Sequence, residues 1–102
     1  MASNQADGVQ KANRVTVRYW AAARAAAGVE ADEVEVPDGG SRTLADVLAE
    51  VERRRPGDRR FADVVDICSV LVGEVPVGAR PHDEVVLGAG DVVELLPPFA
   101  GG

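Results

Sequence analysis

The last twelve residues constrain the fold more than any other stretch. Asp91-Val92-Val93-Glu94-Leu95-Leu96 is apolar on both alternating faces except at Glu94, the pattern of a strand placed centrally in a sheet. Pro97 and Pro98 follow at once. Neither has a backbone donor and both fix φ, so sheet pairing stops there and an extended chain leaves the body. Phe99-Ala100-Gly101-Gly102 then narrows to two residues without a Cβ, which can thread a slim channel. An extended chain from Pro97 to Gly102 spans roughly 20 Å. A frayed end is the ordinary fate of such a segment, and the rest of the chain decides whether this one has a use.

The preceding elements fit one sheet. Met1 to Asn13 is small, polar and aperiodic, and is expected to be a disordered extension, with a domain over 14–96 and an extended flexible tail over 97–102. Arg14 to Trp20 is β-branched and aromatic, a strand with Val15, Val17 and Tyr19 on one face and Thr16, Arg18 and Trp20 on the other. Ala21 to Ala27 reads as a short helix stopped by Gly28. Asp32 to Val36 alternates charge with valine and should pair with the first strand.

Thr43 to about Arg54 is the main helix. Thr43 caps it, and Leu44, Val47, Leu48 and Val51 form a single apolar stripe to lay on a sheet. Phe61, Val64 and Val65 indicate one or two further helical turns. Cys68 to Val72 reads as a third strand, turning at Gly73-Glu74 into Val75-Pro76-Val77, where Pro76 suits an edge. Val85 to Leu87 fits either a turn or a brief strand. A hairpin, a crossover helix and a last strand beside the first define an α+β, ubiquitin-like β-grasp: a mixed sheet of four to five strands with one main helix across one face.

Few side chains offer chemistry. His82 and Cys68 are the only residues of their kinds. Neither has metal-ligand spacing, so no metal site is expected, and no nucleophile-elbow pattern surrounds Ser41 or Ser69. A lone cysteine rules out an intrachain disulfide. The net charge of −6 argues against nucleic acid, which needs a basic stripe. No signal peptide or membrane span is apparent, so the expected location is cytoplasmic. The remaining reactive group is the carboxylate of Gly102, which must be activated, commonly as an acyl adenylate, before a nucleophile can attack it.

With Leu96-Pro97-Pro98-Phe99-Ala100-Gly101-Gly102 following a β-grasp pattern, residues 15–102 resemble the MoaD/ThiS family of ubiquitin-like sulfur carriers, most of all its molybdopterin-synthase branch. The opening strand and helix (Val15 to Gly28), Thr43 to Val51 and the Gly90-Asp91 turn share in the likeness. Phe99 stands where the family often has an aliphatic residue, and Leu96 where it often has an aromatic one. The resemblance implies that a MoeB-like activating enzyme uses ATP to adenylate Gly102 and that a sulfur-donor protein converts it to a thiocarboxylate. It further implies that the tail enters a MoaE-like large subunit, typically in a heterotetramer, where its sulfur passes to cyclic pyranopterin monophosphate. On that basis Gly101 and Ala100 keep the tail slim, while Phe99, Pro98, Pro97 and Leu96 serve docking. The chain itself is expected to bind no cofactor and to be no enzyme alone. A carrier for thiazole or cysteine biosynthesis and a lysine-linked protein modifier are the related alternatives.

Overall fold

The computed structural model describes residues 13–37 and 39–98. The N-terminal extension expected over 1–13 therefore lies outside the described residues except for Asn13, whose carbonyl accepts a hydrogen bond from the Val36 amide at 2.8 Å.

Strand β1 (Arg14–Tyr19) leads into helix α1 (Ala21–Ala27), then strand β2 (Ala31–Glu35) and the two-residue strand β3 (Arg42–Thr43). Helices α2 (Leu44–Arg53) and α3 (Arg59–Ile67) follow, then β4 (Ser69–Val72), β5 (Val75–Pro76), a 3-10 turn at His82–Glu84, β6 (Val86–Leu87) and β7 (Val92–Leu96). Five strands form a mixed sheet in the order β2-β1-β7-β4-β5, with β3 and β6 as a separate pair. Strand β7 is central, as expected, parallel to β1 and antiparallel to β4, with Val93 and Leu95 buried and Val92, Glu94 and Leu96 on a half-buried face. Pro76 lies in edge strand β5, where a missing donor costs no ladder bond.

The alternation of β1 holds. Val15, Val17 and Tyr19 are buried with Val34, Val70, Val93 and Leu95 on one sheet face, in one core with Leu44, Val47, Leu48 and Val51 of α2 and Phe61 and Val65 of α3. Thr43 caps α2 by accepting the Asp46 amide at 3.1 Å. Gly28 ends α1 at φ 80°, a backbone angle that costs a glycine little.

Three features extend the expected architecture. Residues 59–67 form a full nine-residue helix rather than a turn or two, because Asp58 caps it by accepting the Phe61 amide at 3.0 Å and Phe61 is fully buried. The one main helix thus has two shorter companions. Cys68 closes α3 rather than opening β4. Val86-Leu87 is a strand, paired with Arg42-Thr43 so that Leu87 is buried at the start of α2.

Candidate functional site

The site grows from the end of β7. A turn fixes its start: the Asp91 carboxylate accepts the Gly88 amide at 2.8 Å, and the Gly90 amide donates to the Arg14 carbonyl at 2.8 Å with Gly90 at φ 90°. The ladder then runs to Leu96, opposite Ser69 of β4, while the Trp20 amide donates to the Leu95 carbonyl at 3.2 Å. Pairing stops at the prolines. Leu96 and Pro97 are half-buried and Pro98 is exposed. Of the seven tail residues singled out in the sequence, these three are in place; Phe99, Ala100, Gly101 and Gly102 lie outside the described residues.

Sequence reasoning missed what surrounds this exit. The sheet face opposite the core carries Thr16, Arg18, Glu94, Leu71 and Leu96, none of them buried. Trp20, just past β1, is 41% exposed, and its indole N–H donates to Glu94 Oε2 at 3.1 Å. The Arg18 guanidinium lies 5.4 Å from the Trp20 ring centroid. A cation, an aromatic ring and a carboxylate thus form a row beside the departing chain. Ala21 turns the backbone at φ 48°, so an extended Trp20 is followed immediately by a helix. The available signal was Trp20's phase: it falls with Thr16 and Arg18, opposite the buried set, and a large aromatic in the open phase marks a contact surface.

The other candidates do not make a reactive centre. Cys68 and His82 line one shallow groove of about 260 Å³ with Ser69, Leu71 and Pro76. Burial pushes the Cys68 thiol up to about 11, so it stays protonated and unreactive at neutral pH. Among the described residues no cluster of His, Cys, Asp and Glu could hold a metal ion, and no helix is long and apolar enough to cross a membrane.

The most perturbed carboxylate serves packing. Asp32 Oδ2 lies 2.8 Å from Arg55 Nη1 and accepts the Tyr19 hydroxyl at 2.7 Å. Burial works to raise the Asp32 carboxyl, but the bonds from Arg55 and Tyr19 and the nearby positive charge outweigh it and hold it below the usual range. Burial and Asp32 together raise Tyr19 strongly.

Known proteins resemble this chain over most of its length. The ThiS family matches residues 17–102. A molybdopterin synthase sulfur carrier subunit of Chlamydomonas reinhardtii is 32% identical over 89 residues, spanning 87% of this chain and 99% of that protein. The structure of a putative molybdopterin converting factor subunit 1 from Pyrococcus furiosus is 29% identical with a TM-score of 0.64, over 84% of this chain and 98% of that one. A complex of subunits 1 and 2 of molybdopterin-converting factor from Helicobacter pylori contains the same fold at 19% identity and a TM-score of 0.60, covering 87% and 99% of the two chains.

Proposed function

The chain belongs to the ThiS family, and on that footing we propose that it is the sulfur carrier subunit of a molybdopterin synthase. One observation supports this beyond the likeness: central strand β7 runs straight into Pro97-Pro98, and the sequence after them narrows to Gly101-Gly102. The Gly102 carboxylate is the working group. An ATP-dependent MoeB-like enzyme adenylates it, making AMP the leaving group. Sulfur from a donor protein then replaces AMP, giving a thiocarboxylate. ATP belongs to the activating enzyme, and the carrier holds no cofactor of its own.

The partner that receives the tail is a large subunit of the synthase, in a heterotetramer of two carriers and two large subunits. There the thiocarboxylate gives its sulfur to cyclic pyranopterin monophosphate. The need for ATP and a reduced sulfur donor supports a cytoplasmic setting for this chemistry. Ala100, Gly101 and Gly102 keep the inserted end slim, and Phe99, Pro98, Pro97 and Leu96 line its path. The open sheet face supplies the docking surface, with Trp20 and Leu96 beside the exit and Leu71 farther across the sheet.

The test is a reconstituted synthase supplied with full-length chain and with chain lacking Gly102. The intact chain should gain the mass of sulfur for oxygen in its terminal peptide and support sulfur transfer. Survival of transfer without Gly102 would sink the reading.

A further inference from the structure

An activated acyl group at Gly102 is a hazard to any amine near it. A lysine ε-amine, once deprotonated, attacks an acyl adenylate at the carbonyl carbon. A C–N bond forms, the C–O bond to phosphate breaks, AMP departs with its electron pair, and the ammonium proton passes to water. The product is an isopeptide, and the carrier is lost to sulfur transfer.

Residues 13–98 contain ten arginines and no lysine; the sole lysine is Lys11. Structural need accounts for few of these arginines. Arg55 requires a planar fork, donating to the Val51 and Ala27 carbonyls while pairing with Asp32. Arg42 and Arg80 each donate to one backbone carbonyl. Arg24, Arg53 and Arg54 make exposed ion pairs with Glu30 or Glu50, where an ammonium would serve as well. Arg59 and Arg60 are exposed in the first turn of α3. A lysine ε-amine at neutral pH is free about one time in a few thousand, whereas a guanidinium keeps its proton and has no lone pair to offer. Among the body's other nucleophiles the Cys68 thiol is half-buried, the Tyr19 hydroxyl is bonded to Asp32, and an acyl group taken by the exposed His82 imidazole would pass on to water and leave no lasting link.

We propose that the folded body of this chain is closed to isopeptide formation: it carries guanidinium groups and no lysine amine, so an activated Gly102 on any copy finds no amine acceptor in residues 13–98 and is left to be taken by sulfur. The proposal rests on the reading of Gly102 as an activated acyl group.

The experiment incubates full-length chain at high concentration with its ATP-dependent adenylating enzyme, magnesium and ATP, leaving out the sulfur donor. Four proteins are compared: wild type, K11R, and K11R carrying either R24K or R59K/R60K. These exposed conservative changes should leave the thermal midpoint unmoved. Wild type and K11R should form no covalent dimer linked through residues 13–98. The added lysines should raise self-linked product severalfold, with the isopeptide mapped by peptide mass to the introduced residue. When sulfur donor is restored, they should lower the yield of thiocarboxylate. ATP–pyrophosphate exchange, measured alongside, separates the two ideas. Normal exchange with no extra self-linkage in either lysine variant overturns this proposal alone, as does wild-type linkage through the body. Absence of exchange in wild type removes the carrier reading and this proposal with it.

Discussion

Replacing Arg55 should cost more stability than replacing any other charged residue of the domain. Its side chain is 14% exposed and that of Asp32 15%. Beyond the 2.8 Å ion pair, it donates to the Val51 carbonyl at 2.9 Å and the Ala27 carbonyl at 3.3 Å, tying the end of α2 to α1. Its guanidinium lies 4.4 Å from the Phe61 ring centroid, and Phe61 meets Tyr19 edge-on at 5.6 Å. Arg55→Ala strips these contacts and leaves the Asp32 carboxylate held by the Tyr19 hydroxyl. Breaking a fully buried pair from one side costs ~3–5 kcal/mol. Partial water access here lowers the expectation to about 2–4 kcal/mol. In a domain of this size that is a drop of roughly 10–25 °C in thermal midpoint. Arg55→Met keeps an apolar stem over Phe61 yet still orphans the carboxylate, so it should fall nearly as far. Adding Asp32→Asn to Arg55→Met should recover much of the loss.

The pH dependence checks the same reasoning independently. Asp32 titrates below its ordinary value in the folded state. Its contribution is therefore complete above the unfolded carboxyl value near ~4 and is lost as pH falls through the lower folded value. In Arg55→Ala the burial remains while the main partner is gone, so Asp32 should titrate above its ordinary value and resist ionisation. The stability gap between wild type and variant should be widest at neutral pH and shrink below about pH 4. Urea midpoints across that range measure it. A gap under ~0.5 kcal/mol, the scale of an exposed pair, or one that does not change with pH, refutes the assignment.

Two further outcomes follow from the exit and its surroundings. Trp20→Ala should weaken binding to the large synthase subunit by about tenfold or more, as loss of an aromatic anchor does, while leaving the thermal midpoint nearly in place because the ring is 41% exposed. Calorimetric titration showing unchanged affinity would remove Trp20 from the interface. Cys68 should alkylate slowly at neutral pH and faster only as pH approaches about 11, and Cys68→Ser should load with sulfur normally. Rapid labelling at neutral pH would show that the thiol is activated after all.

Elements with a physical period were readable from the chain. The stripe of α2 and the alternation of β1 each record an environment in consecutive residues, and the structure matches both, while β7 takes its expected central place with one face in the core and the other half-buried. What had no period was hidden. Two residues each in β3 and β6 cannot express alternation, so their pairing was undetermined until Leu87 was seen to be buried. Helix α3 has Phe61 and Val65 one turn apart, but four charged residues crowd the same nine positions and shortened its apparent length. Asp32 and Arg55 are far apart in the chain, and no spacing rule links a strand residue to one lying two positions past a helix. Trp20 was placed on the correct face, yet its meaning depended on β7 ending beside it.

The need for a surface beside the exit follows from the cost of inserting a tail. In the proposed mechanism Phe99 to Gly102 become fixed in another protein's channel. Fixing a backbone costs ~1–2 kcal/mol per residue, so these four require about 4–8 kcal/mol, with the glycines at the upper end. Slim residues are poor at recovering that cost, since the absence of side chains that lets them pass also removes contact area. Pro97 and Pro98 reduce it, because their φ angles are already set before insertion. The remainder must come from the folded body, close enough to the exit that docking and insertion act together. Trp20 meets that condition: its amide is bonded to the Leu95 carbonyl and its indole to Glu94, both on the strand that delivers the tail. A partner that grips the ring holds the strand as well, and so fixes where the chain end begins its reach.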